Sequence, residues 1–110
     1  MFHSTHVFTG ETIYRRPAQS YTEFTDELNR LQTLQQTFTQ SSIIERTALL
    51  QQFADSLSQN QERLAEMVCE EVGRCLHECR AEISKSIELI RYYVRLAPEL
   101  LAHKTIATQA

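Results

Sequence analysis

The chain has 110 residues, of which 42% are apolar and 23% charged, and a net charge of -3. This size allows one domain at most, or part of a larger protein, and the apolar content is too high for a disordered tail. The charge comes without a basic cluster beyond Arg15 and Arg16, so the electrostatic footprint of a nucleic-acid binder is lacking and no nucleic-acid partner is expected.

Residues Met1 to Gly10 show no positive region followed by an apolar core, and no apolar run approaches membrane-spanning length. A soluble, cytoplasmic protein with no membrane partner is expected. Three cysteines, an odd number without a secretion signal, point to reduced thiols instead of a disulfide framework. The two glycines, Gly10 and Gly73, lie too far apart to let backbone amides converge on a phosphate, which excludes a dinucleotide fingerprint and a Walker loop. G-x-S-x-G and H-E-x-x-H are also absent.

Residues 1–21 read as an N-terminal extended or β segment. Val7, Phe8, Thr12, Ile13 and Tyr14 are strand formers around a Thr9-Gly10-Glu11 turn, and Pro17 ends the run, so a short hairpin or two extended pieces is expected. Residues 22–110 then carry a helical period. Phe24, Leu28, Leu31 and Phe38 share one face of a first helix from Thr22. Ser42-Ile43-Ile44-Glu45 is a capping box, in which the serine oxygen takes an orphan amide while Glu45 reaches back. The second helix starts there, with Ile43, Thr47, Leu50, Phe53 and Leu57 as its inner stripe.

Ser58-Gln59-Asn60-Gln61 repeats the signal and predicts a third helix, in which Leu64, Val68 and Val72 recur every four residues. Gly73 can end it in the left-handed conformation. The fourth helix is the longest, with Leu76, Cys79, Ile83, Ile87, Ile90, Val94, Ala97 and Leu101 in steps of three and four. It would span roughly 39 Å unless Pro98 kinks its last turn. The fold class expected is therefore mainly α, a short N-terminal β-hairpin or extended segment followed by four helices.

The stretch EEVGRCLHECRAEI, residues 70 to 83, concentrates Cys75, Cys79 and His77 beside Gly73, with Cys69 just before it. Cys75 and Cys79 could share a helical face, but His77 points about 160° away and the spacing matches no zinc module. The stretch reads as a helix junction with reduced, partly buried thiols, Cys79 lying on the apolar seam. His3 and His6 sit in a terminus expected to fray.

Along nearly its whole length the chain resembles the N-terminal segment of the aldehyde dehydrogenase superfamily, most closely the succinate-semialdehyde dehydrogenase branch. The resemblance is carried by Thr9-Gly10-Glu11, Ser42-Ile43-Ile44-Glu45-Arg46 with Leu49-Leu50, Glu71-Val72-Gly73-Arg74 and Arg80-Ala81-Glu82. Arg91-Tyr92-Tyr93, Leu100-Leu101-Ala102 and the tail Ala107-Thr108-Gln109-Ala110 complete it. His6-Val7 stands where the family usually has Asn-Pro, Phe38 where it has Trp, and Arg74 where it has Lys.

The resemblance implies an incomplete cofactor-binding domain within an α/β dehydrogenase fold. The intact relatives oxidise an aldehyde to a carboxylic acid with NAD or NADP, through a thiohemiacetal on a catalytic cysteine. Their nucleophilic cysteine, general-base glutamate and cofactor-binding strands come later in the chain than residue 110. No catalytic, cofactor-binding or metal residue is therefore assigned here; Cys69, Cys75 and Cys79 fall on scaffold positions, and the chain alone is expected to be inactive.

Two readings of the long seam stay open: a core face closed by the other three helices, or a free-standing interaction module that binds a partner helix or a second copy. The product of a truncated or split gene is a third possibility. Since the helices of the complete fold pack on a sheet lacking here, partial exposure from Ile83 to Val94 is expected, with Ile87 and Ile90 near a self-association contact or against the remainder of the dehydrogenase.

Overall fold

The computed structural model describes residues 1–108. Gln109 and Ala110, which carry the end of the family resemblance, lie outside the described residues. The fold is mainly helical, with a two-stranded antiparallel sheet followed by four helices.

Strands β1 (Phe2–Thr5) and β2 (Thr12–Arg16) pair with Phe2 opposite Arg16, His3 opposite Arg15 and Ser4 opposite Tyr14. The register then shifts to Thr5 opposite Thr12, which leaves Ile13 as the extra residue of a bulge. Val7 and Phe8 are not strand residues despite their propensity; they belong to the connecting loop. That loop is closed by the His6 amide on the Glu11 carbonyl and the Gly10 amide on the His6 carbonyl, both at 2.8 Å. His6 does not fray. Its Nδ1 accepts the amides of Phe8 and Thr9 at 3.2 and 3.4 Å, the role an Asn or Asp side chain often takes in a turn.

Helix α1 (Tyr21–Phe38) starts at a capping box of its own, with Ser20 Oγ accepting from the Glu23 amide and the Glu23 carboxylate accepting the Ser20 amide at 2.8 Å. Helix α2 (Ile43–Gln59) starts at the expected box, where Ser42 and Glu45 make the same exchange. The expected cap at Ser58 is not used. Ser58 stays inside α2, and the joint is Asn60, at φ -104 and ψ 11. Its Nδ2 donates backward to the Ser56 carbonyl at 2.8 Å, closing α2 instead of opening α3 (Gln61–Val72).

Gly73 ends α3 at φ 79, as the sequence predicts, and its amide bonds the Cys69 carbonyl at 2.9 Å. Helix α4 (Leu76–Leu100) then returns for 25 residues, about 37 Å, and continues through Pro98.

α4 packs on both α2 and α3. Asp55 pairs with Arg91 at 3.0 Å, the Gln61 amide donates to Ser84 Oγ at 2.6 Å, and Glu62 accepts from Arg80 Nε at 2.8 Å. Partners advance along α2 and α3 as they retreat along α4, so α4 lies antiparallel to a rod bent at Asn60. The core lies between: Thr47, Ala54 and Ala65 on the rod, Cys79 and Ile87 on α4. Alanine at the contact lets helix axes approach closely, and only a few large side chains are enclosed.

Two expectations are corrected here. The inner stripe of α2 is rotated: Thr47 and Ala54 face inward, whereas Leu50 and Phe53 are exposed. The α4 seam is closed by two helices and not three, because α1 packs along no other element and has no buried residue. Only its end is tied down. Arg46 donates to the Thr39 and Ser41 carbonyls at 3.1 and 2.9 Å, and its guanidinium lies 5.5 Å from the centre of the Phe38 ring. The protruding helix gives a radius of gyration of 20.0 Å, against about 13 Å for a compact chain of this length.

Candidate functional site

The densest meeting of elements is the α3–α4 junction, the stretch that holds the thiols. The hairpin loop docks there. The Val7 amide donates to the Glu70 carbonyl at 3.0 Å, and the Val7 side chain covers Gly73 so closely that a Cβ on the glycine would stand 3.0 Å from Val7 Cγ2. Arg74, just after the turn, pairs with Glu82 one face along α4.

The three cysteines are free, with Cys79 buried, Cys69 half-buried and Cys75 exposed. Burial pushes the Cys79 thiol up from its ordinary pKa, the neighbouring Cys69 and Cys75 add to this, and Arg74 opposes it. A raised pKa is the reverse of what activates a nucleophile. The Cys79 sulfur donates weakly to the Arg74 carbonyl at 3.9 Å. Among the described residues, no three His, Cys, Asp or Glu side chains converge as a metal site.

Two serine–carboxylate pairs, Ser20 with Glu23 and Ser42 with Glu45, have a short hydroxyl-to-carboxylate contact. Both are helix caps. The hydrogen bonds hold Glu23 and Glu45 below the usual glutamate range, as Arg80 does for Glu62.

The residues present do not fit a nicotinamide dinucleotide. Gly10 sits in an open loop, while Gly73 is a helix terminator roofed by Val7, so neither offers backbone amides to a pyrophosphate.

The comparison with known proteins accounts for a helical body that carries no chemistry. The profile of the aldehyde dehydrogenase family matches the chain over residues 1–110. The chain belongs to the aldehyde dehydrogenase family. It is 26% identical over 105 residues to a succinate-semialdehyde dehydrogenase [NADP(+)] of Deinococcus radiodurans, covering 96% of this chain and 22% of that protein. To a probable succinate-semialdehyde dehydrogenase [NADP(+)] of Synechocystis it is 29% identical over 102 residues, covering 93% and 22%.

In fold, this aldehyde dehydrogenase family chain superposes on a glyceraldehyde-3-phosphate dehydrogenase of Methanocaldococcus jannaschii, crystallised with NADP, at a TM-score of 0.90 with 18% identity, over 99% of this chain and 24% of that one. Against a succinic semialdehyde dehydrogenase of Streptococcus pyogenes, also crystallised with NADP, the TM-score is 0.88 with 22% identity, over 98% and 24%. The chain thus spans under a quarter of the length of these relatives. No helix among the described residues is long and apolar enough to cross a membrane.

Val7 is the residue at the junction whose part the sequence left unread. It looked like an ordinary strand former, and its partner, Gly73, is far away in the chain.

Proposed function

We propose that the chain is the N-terminal part of a dehydrogenase of the succinate-semialdehyde type, working with NADP, and that it supplies framework instead of reacting groups. The observation that carries this reading is the match of the whole chain to under a quarter of its relatives' length, together with a core of only five buried residues. Large apolar side chains of α1 and α2, among them Phe24, Leu31, Leu50 and Phe53, are half-exposed, as expected of surfaces that the rest of such an enzyme covers. The intact relatives would oxidise a semialdehyde to the acid by hydride transfer to the nicotinamide. Free thiols throughout are in keeping with a reducing cytoplasm.

A chimera tests the reading. The matching N-terminal segment of the Deinococcus radiodurans enzyme is replaced by this chain, and NADP reduction by succinate semialdehyde is followed. Turnover by the chimera, with none by the 110-residue chain alone, is expected. A folded chimera without activity, or turnover by the isolated chain, would overturn it. The uncovered α1 favours a second reading, a helical module that assembles with other chains.

A further inference from the structure

Two apolar surfaces of the chain are left without partners, and their charges are opposite. On α1, Tyr21, Phe24, Leu28, Leu31, Leu34 and Phe38 recur by threes and fours and are between 43% and 84% exposed. An 18-residue helix is marginal in water unless its apolar face is packed, so this stripe calls for cover. On α4, Leu89, Tyr92 and Leu96 form a second seam, turned away from buried Ile87, along a shallow groove of about 480 Å³ lined also by Lys85, Glu88, Arg91 and Arg95.

Charge matches the two. α1 carries Glu23, Asp26 and Glu27 against Arg30 alone, a net of -2. The groove carries Lys85, Arg91 and Arg95 against Glu88, a net of +2. Arg91 is engaged by Asp55 and Glu27 by Arg30, but Lys85, Arg95, Glu23 and Asp26 take part in no ion pair among the described residues. Glu23 and Glu27, one turn apart, flank the same side of the α1 stripe.

We propose that two copies of this chain associate by exchanging α1, each α1 lying along the Leu89, Tyr92 and Leu96 seam of the other copy. Area selects exchange over a single contact. Six half-exposed large side chains offer roughly 500 Å² on α1, so one contact buries about 1,000 Å² over both partners, short of the about 1,600 Å² of an ordinary stable interface. Two contacts related by a twofold axis bury about 2,000 Å². The tether at Arg46, Thr39 and Ser41 leaves the body of α1 free of its own chain. Ile87, the residue first expected at such a contact, is only 4% exposed inside the core and takes no part.

Sedimentation velocity of the 110-residue chain at tens of micromolar decides the matter, using wild type, Leu28→Asp on α1 and Tyr92→Asp on α4, with circular dichroism to establish that each is folded. Leu31→Asp and Leu89→Asp replace any variant that is not. A wild-type dimer is expected, weakened about ten-fold or more by either substitution and by added salt. A wild-type monomer would sink the proposal. So would a dimer that Leu28→Asp dissociates but Tyr92→Asp leaves intact, since α1 would then pair with α1, and so would a dimer indifferent to both.

Discussion

Val7 roofs Gly73: the loop of the hairpin and the terminator of α3 are pressed together so closely that no side chain fits between them. The same glycine holds φ 79, a conformation that costs an L-residue energy whatever the space around it. Gly73→Ala is therefore expected to lose about 1 to 2 kcal/mol in urea unfolding. Gly10→Ala is the control, because Gly10 shares the positive φ, 75, but has nothing within 4 Å of an added Cβ. Equal losses at the two sites would mean that the Val7 contact adds nothing.

Burial, not apolar character, should rank substitutions along the helices. Ile87→Ala removes a side chain from a five-residue core and is expected to cost about 2 to 5 kcal/mol. Ile44→Ala, where the side chain is 72% exposed, should stay within about 0.5 kcal/mol. Urea midpoints of the two variants check this, and similar losses would contradict the packing of α4 on α2 and α3.

The helix caps predict a response to acid. Hydrogen bonds from Ser20 and Ser42 lower the pKa of Glu23 and Glu45 in the folded chain, so the carboxylates bind protons less readily folded than unfolded. Their stabilisation is complete above the ordinary glutamate range and is lost as pH falls through and below it. Helicity followed by circular dichroism should drop over that window, and Ser42→Ala, expected to cost about 1 kcal/mol at neutral pH, should flatten the α2 share of the drop. An unchanged acid profile in Ser20→Ala combined with Ser42→Ala would exclude the caps as its source.

Thiol labelling should separate the three cysteines. Cys75 is exposed and should react first with an aromatic disulfide reagent in native protein, and Cys69, half-buried, more slowly. Cys79, enclosed and with its thiol pushed toward the protonated form, should react only on unfolding. Fast native labelling of Cys79, located by peptide mass analysis, would show that the α3–α4 junction opens readily.

Much of this fold is local physics, and that part was readable residue by residue. The Ser42 box, the Gly73 terminator and the three-and-four period of α4 each depend on neighbours within about a turn, so spacing alone placed them. Ser20-Tyr21-Thr22-Glu23 carried the same local signature as Ser42 and sets the start of α1 one residue before Thr22. Ser58 failed as a cap for an equally local reason: Asn60 reaches back to Ser56 and takes the joint for itself. Three features needed tertiary structure. Leu50 and Phe53 are as apolar as any inner stripe, but the small surfaces of Thr47 and Ala54 are what admit α4. Val7 finds Gly73 only because the chain between them folds back. The solitude of α1 has no local signature, since its stripe has the period of a packed helix, and whether such a face is covered depends on which other surfaces are there to meet it.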